Sequence, residues 1–107
     1  MADFGAIDMR VGTVLSAEPF PETRKPAIKL TIDFGPELGV KRSSAQITTH
    51  YTPETIVGRQ VIAAVNLGTR RIAGFESEVL VLGAVPAPAD VILLTLDQPV
   101  ADGTRIG

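Results

Sequence analysis

The chain has 107 residues, 45% of them apolar and 21% charged, which is enough apolar content for one packed domain and too little length for two. Cysteine is absent and histidine occurs once, which excludes disulfides, thiolate nucleophiles, thiolate-held zinc or iron–sulfur centres and a multi-histidine metal site within one chain. Ten Lys and Arg against twelve Asp and Glu give a formal charge of −2, but the sum conceals a division along the chain. Both ends are acidic, whereas residues 24–71 set eight cations (Arg24, Lys25, Lys29, Lys41, Arg42, Arg59, Arg70 and Arg71) against three carboxylates (Asp33, Glu37 and Glu54).

Residues 1–12 lack the basic start and unbroken apolar stretch of a secretion signal, and the longest apolar runs fall far short of the roughly 20 residues that span a bilayer as a helix. A cytoplasmic protein with no membrane insertion is the expectation. Residues 9–15 read as a first strand, with Gly12 as a possible bulge or tight bend. Residues 28–34 alternate strictly, with Ile28, Leu30, Ile32 and Phe34 on one face and Lys29, Thr31 and Asp33 on the other, the pattern of a half-buried strand. The glycines at 35 and 39 read as a hairpin loop. Residues 43–48 form a third, polar strand with Ala45 and Ile47 inward.

A short helix follows, with Thr52 as N-cap, Pro53 at the first helical position and Gly58 as the stop. Residues 59–67 and 77–85 are β-rich runs punctuated by Gly58, Gly68, Gly74 and Gly83, with Arg70 and Arg71 in the turn between them. After Pro86 and Pro88, residues 91–96 read as a last strand, apolar on both faces, whose outer face calls for cover by another subunit. Five main strands with a short helix between the third and fourth is the layout of an all-β OB-fold, a five-stranded Greek-key barrel; an SH3-like barrel or small sandwich also fits the pattern. One domain over 1–107 is expected.

Catalysis has little material. No G-x-S-x-G elbow accompanies His50, which reads as a surface or capping residue, and no Gly-Lys-Ser/Thr follows the glycines at 35 and 39. Glu76 and Glu78 share a predicted strand face but fit a solvated edge better than acid–base work. No enzyme activity, cofactor or metal is expected. Binding has more: Lys29, Lys41, Arg42, Arg70 and Arg71 can meet phosphates, and Ser43, Ser44, Gln46, Asn66 and Ser77 supply directional hydrogen bonds. Aromatics are few (Phe4, Phe20, Phe34, Phe75 and Tyr51), with Phe34 assigned to the core and Phe75, in a Gly-flanked loop, read as exposed or, alternatively, packed in the core or an interface.

The segments DMRVGTV (8–14), RKPAIKLTIDFG (24–35), KRSSAQIT (41–48), GRQV (58–61), VNL (65–67), RRIAGFESEVL (70–80) and DGTRI (102–106) together resemble the tRNA-binding-domain family across nearly the whole chain. Within it, the KPA-KLTIDFG, SSAQIT and RRIAGF-SEVLVLG strings are most similar to a branch of bacterial export-related chaperones. The resemblance implies an OB-fold homodimer whose interface is completed by the N-terminal segment and the C-terminal strands. It implies binding of unfolded or precursor polypeptides, with non-specific tRNA binding as the alternative. Carried over by position, Lys41, Arg42, Asn66, Arg70, Arg71, Ser77 and Glu78 fall on the family's ligand face, and Phe75 joins them as the exposed aromatic. The chain departs from the tRNA-binding branch at Ser77-Glu78-Val79-Leu80, where a Ser-Gln-Gly-Met-like segment is typical. A carboxylate there repels phosphate unless Glu78 pairs with Arg71. It also departs from many of the chaperones at Leu67-Gly68-Thr69, where a Phe-Pro-Pro-like turn is usual and the loss of two prolines loosens the turn. An apolar groove involving Leu67, Ile72 and Phe75 is the corresponding expectation.

Overall fold

The computed structural model describes residues 6–107, so Phe4 and the start of the N-terminal segment lie outside the described residues. The long first strand, β1 (Met9–Pro19), organises everything else. Its first half pairs antiparallel with β4 (Gln60–Ala64), from Met9 opposite Ala64 to Thr13 opposite Gln60. Its second half pairs with β2 (Ile28–Asp33), from Thr13 opposite Asp33 to Pro19 opposite Ile28. The bulge that lets the strand curl lies between Val14 and Ser16 rather than at Gly12. Gly12 serves another purpose, because a Cβ there would stand 2.6 Å from Ile32 Cγ2 and 2.7 Å from the Phe34 ring. The core packs directly against the backbone at that point.

The alternation in 28–34 is realised as expected: Ile28, Leu30, Ile32 and Phe34 are all buried, and Lys29, Thr31 and Asp33 are half-buried. The expected hairpin loop is instead a single helical turn, α1 (Gly35–Leu38). Pro36 suits a first helical turn, and the Asp33 carboxylate accepts from the Gly35 N–H at 2.8 Å. Gly35 sits at φ 85°, and a Cβ on it would meet the Asp102 carbonyl at 2.5 Å, so the tail of the chain can lie against this corner. That tail closes on β1: Val11 donates to the Thr104 carbonyl at 3.0 Å, and Gly103 and Ile106 donate back to Val11 and Met9. Arg10 donates to Asp8 at 2.7 Å and to the Gly103 carbonyl at 3.0 Å, and the Asp8 bond pushes the guanidinium above its ordinary pKa.

β3 (Val40–Ala45) starts earlier than expected and pairs with β2 from Ile28–Ala45 to Asp33–Val40, with Ala45 and Ile47 buried as anticipated. The predicted helix is α2 (Pro53–Ile56), capped by reciprocal bonds between Thr52 and Thr55 and anchored by fully buried Ile56. Arg70 and Arg71 are not in a turn. They belong to β5 (Arg70–Ile72), which forms a hairpin with β6 (Phe75–Ser77) around Ala73 and Gly74, both at positive φ.

The single strand expected over 77–85 is divided among three partners. β6 ends at Ser77, β7 (Leu80–Val81) pairs with β4, and β8 (Gly83–Ala87) forms a hairpin with β9 (Asp90–Leu93). The last strand thus covers 90–93 rather than 91–96. The sheet order is β3-β2-β1-β4-β7, a nearly closed five-stranded barrel of OB type in which the edge strands β3 and β7 are not hydrogen-bonded to each other. The core of Val14, Ile28, Leu30, Ile32, Phe34, Ile47, Ile56, Val61 and Val79 fills the barrel, and Val91 and Leu93 pack on it from the last hairpin. No helix among the described residues is long and apolar enough to cross a membrane.

Candidate functional site

The gap between β3 and β7 is an open groove of about 810 Å³. One wall is the end of β3 and its continuation, Ser44 to Ile47; the other is Leu80 to Gly83 with Val85 and Val91 of the last hairpin. One end is roofed by Arg70, Ile72 and Ala73 of the β5–β6 hairpin, and the loop from β1 to β2 brings in Glu22, Thr23, Arg24 and Lys25. That loop is shaped by Thr23, whose hydroxyl donates to the Phe20 carbonyl at 3.0 Å and also contacts the Lys25 carbonyl. Ala45, Ile47, Ile72, Val81, Val85 and Val91 make the lining largely apolar, while Arg24, Lys25 and Arg70 outnumber Glu22 at the rim. This is the face that OB-folds use, between the loop joining strands one and two and the loop joining strands four and five.

The structure does not bring the anticipated site residues together in one place. Arg70 lines the groove with Ile72, as strand alternation requires, and Arg71 stands on the opposite face of β5. Arg42 and Phe75 meet beside the groove. The Arg42 guanidinium lies 5.1 Å from the Phe75 ring centroid, Lys29 Nζ 5.3 Å from it, and Phe20 packs edge-on at 5.4 Å. Phe75 is therefore half-buried, the packed rather than the exposed of its two readings, and its ring is already engaged by two cations.

Ser77 and Glu78 are staples. The Arg42 N–H donates to the Glu78 carboxylate at 3.1 Å, and the Glu78 N–H donates to the Arg42 carbonyl at 2.8 Å. The Ser44 N–H donates to the Ser77 hydroxyl at 3.0 Å, while buried Ser43 donates to the Val79 carbonyl at 2.9 Å. Glu78 thus engages the Arg42 backbone rather than pairing with Arg71.

Lys41 sits at the start of β3, away from the groove lining. Asn66 is a clamp, accepting from the Asp8 N–H at 2.9 Å and donating to the Ala6 carbonyl at 2.7 Å. Leu67 is exposed and does not line the groove. Gln46, named among the hydrogen-bonding candidates, lines the groove, whereas sequence reasoning passed over Arg24, Lys25 and the two hairpin valines as groove residues. The signal available for the first two was two adjacent cations in a polar stretch between two strands. His50, as expected, is on the surface, where it pairs with Asp90; together with Thr49 donating to the Ala89 carbonyl at 2.8 Å and Leu93 donating to the Tyr51 hydroxyl at 2.9 Å, it ties the last hairpin to the barrel.

This architecture has close counterparts. The crystal structure of chaperone CsaA from Bacillus anthracis str. Ames matches with a TM-score of 0.94 at 55% identity, covering 98% of this chain and 94% of that one. CsaA chaperone protein from Picrophilus torridus matches with a TM-score of 0.90 at 45% identity, covering 98% and 95%. Among curated proteins, methionine–tRNA ligase from Porphyromonas gingivalis is 38% identical over 104 residues, which are 97% of this chain and 15% of the ligase. The chain therefore spans only about 15% of the length of such ligase relatives. The family described as "Putative tRNA binding domain" matches residues 9–105. A match that runs from the first residue of β1 to the tail closing on that strand places the chain in the tRNA-binding domain family.

Proposed function

We propose that the chain is a non-enzymatic, CsaA-like chaperone that works in the cytoplasm and holds unfolded or precursor polypeptides, those awaiting export among them, in the groove between β3 and β7. The observation that carries this reading is the composition of the groove: an apolar lining for side chains and a cationic rim of Arg24, Lys25 and Arg70. Stacking of bases has little support there, because the Phe75 ring beside the groove is already occupied by Lys29, Arg42 and Phe20.

One observation favours tRNA as a second ligand. Among the described residues, Arg24, Lys25, Lys41, Arg42, Arg70 and Arg71 have no carboxylate within ion-pairing distance, which leaves their charge available to phosphates. Fluorescence anisotropy with a labelled unfolded precursor peptide and with labelled total tRNA, across about 50 to 200 mM salt, separates the readings. The chaperone reading expects peptide binding that persists through the series while tRNA binding is weak. Tight tRNA binding with a steep salt slope, and no peptide binding, would overturn it.

The same reading includes a homodimer. The last hairpin turns Val91 and Leu93 onto the barrel and leaves Ile92 and, just after it, Leu94 exposed, an apolar face of the kind a second copy covers. Ile92→Asp is expected to convert a dimer to a monomer in sedimentation velocity. A wild-type chain that sediments as a monomer at micromolar concentration would remove the dimer from the proposal.

A further inference from the structure

The outer edge of β3 is closed along one stretch and open along the next. Residues on this edge alternate, and Arg42 and Ser44 aim their N–H groups away from β2. Those two N–H groups are capped by side chains, Glu78 for Arg42 and Ser77 for Ser44. Two residues further on, at Gln46, the capping stops. Among the described residues neither the N–H nor the C=O of Gln46 has a hydrogen-bond partner, and Gln46 is exposed and lines the groove. The strand that would satisfy this edge in a closed barrel is β7, which pairs with β4 alone. The result is an unpaired edge lying along the floor of an apolar, cation-rimmed groove.

We propose that the groove takes its ligand by strand addition: an extended polypeptide segment lies alongside the end of β3 and exchanges main-chain hydrogen bonds with Gln46. This rests on the polypeptide reading above and names the substrate class for that site. The segment sets alternate side chains into the lining formed by Ile47, Val81 and Val91. Its ends carry carboxylates, because Arg24, Lys25 and Arg70 outnumber Glu22 around the opening. Recognition through the main chain accounts for tolerance of many client sequences, since every residue but proline presents the same donor and acceptor.

The test uses a fluorescein-labelled peptide of about eight residues, roughly 26 Å when extended, with valine and threonine alternating and aspartate at each end. Two derivatives carry N-methyl groups on alternate amides, one series on the valines and the other on the threonines. The apolar lining fixes the register, so one set of amides faces Gln46 and the other faces away. One series is expected to lose at least about tenfold in affinity while the other binds like the parent. Equal binding by both series, or equal loss in both, overturns strand addition and leaves polypeptide binding standing. No binding by the parent peptide overturns both. On the protein side, Gln46→Pro removes the N–H and is expected to weaken the parent peptide by more than Gln46→Ala does, since alanine keeps the main-chain donor and trims only the side chain. Weakening by Gln46→Ala to the same extent would assign the contact to the side chain and overturn the proposal.

Discussion

Truncating Phe34 to alanine is expected to lower the stability of the barrel by about 3–5 kcal/mol, and with it the melting temperature by roughly 15 °C or more. The ring is fully buried at the end of β2, within contact of the Gly12 backbone on β1. The same contact gives the expectation a second arm. Gly12→Ala in the intact protein drives a methyl into Ile32 and Phe34 and costs about 1–3 kcal/mol through overpacking. Combined with Phe34→Ala it finds part of its space vacated, so the double variant should be less destabilised than the sum of the two. Urea denaturation of the four proteins measures the coupling. Strict additivity would mean that the strand relaxes away from the ring and that the close approach is not what selects glycine at position 12.

The largest effect on binding is expected from the rim. Arg24→Glu with Arg70→Glu places two carboxylates beside Glu22 and reverses the local field. Affinity for the aspartate-ended peptide should fall by at least about tenfold at 50 mM salt, with the deficit shrinking toward 200 mM as screening grows. Thermal stability should stay within about 0.5 kcal/mol of the parent, since neither arginine has an ion-pair partner among the described residues to lose. Arg71→Glu is the control. It lies on the opposite face of β5, so peptide affinity should hold, whereas a tRNA backbone that wraps the domain would sense the loss. Equal effects of Arg71 and Arg70 on peptide affinity would move the site off the groove.

How much of this was legible beforehand depended on whether a feature is written locally. The buried row from Ile28 to Phe34 and the capped turn beginning at Thr52 are patterns within a few residues, and both appear as read. The run over 77–85 serves three partners in succession; Gly83 marks where β9 takes over from β4, but nothing in its own residues marks where β4 takes over from β5. The same limit governs the site. Ser77, Glu78 and Asn66 are polar residues on the face singled out by resemblance, and their roles as staples and clamp depend on backbone groups 33, 36 and 58 residues away. Arg24 and Lys25 became rim residues only once the β1–β2 loop was seen to fold over the end of β3.

The tail that closes on β1 also sets the order in which the molecule can finish. Arg10 and Gly103 are hydrogen-bonded across 93 residues of chain, and the N–H of Val11 waits for Thr104. During synthesis β1 leaves the ribosome ahead of every strand it pairs with and is thus among the last of the barrel strands to be fully paired. Its pairing with β2 is available early and with β4 later, but its remaining edge stays bare until residues 103–106 have emerged. So non-local a closure places the domain among slow-folding topologies, milliseconds to seconds rather than microseconds. Under the function proposed above, a protein that shelters the unpaired strands of others passes through the same exposed condition each time it is made.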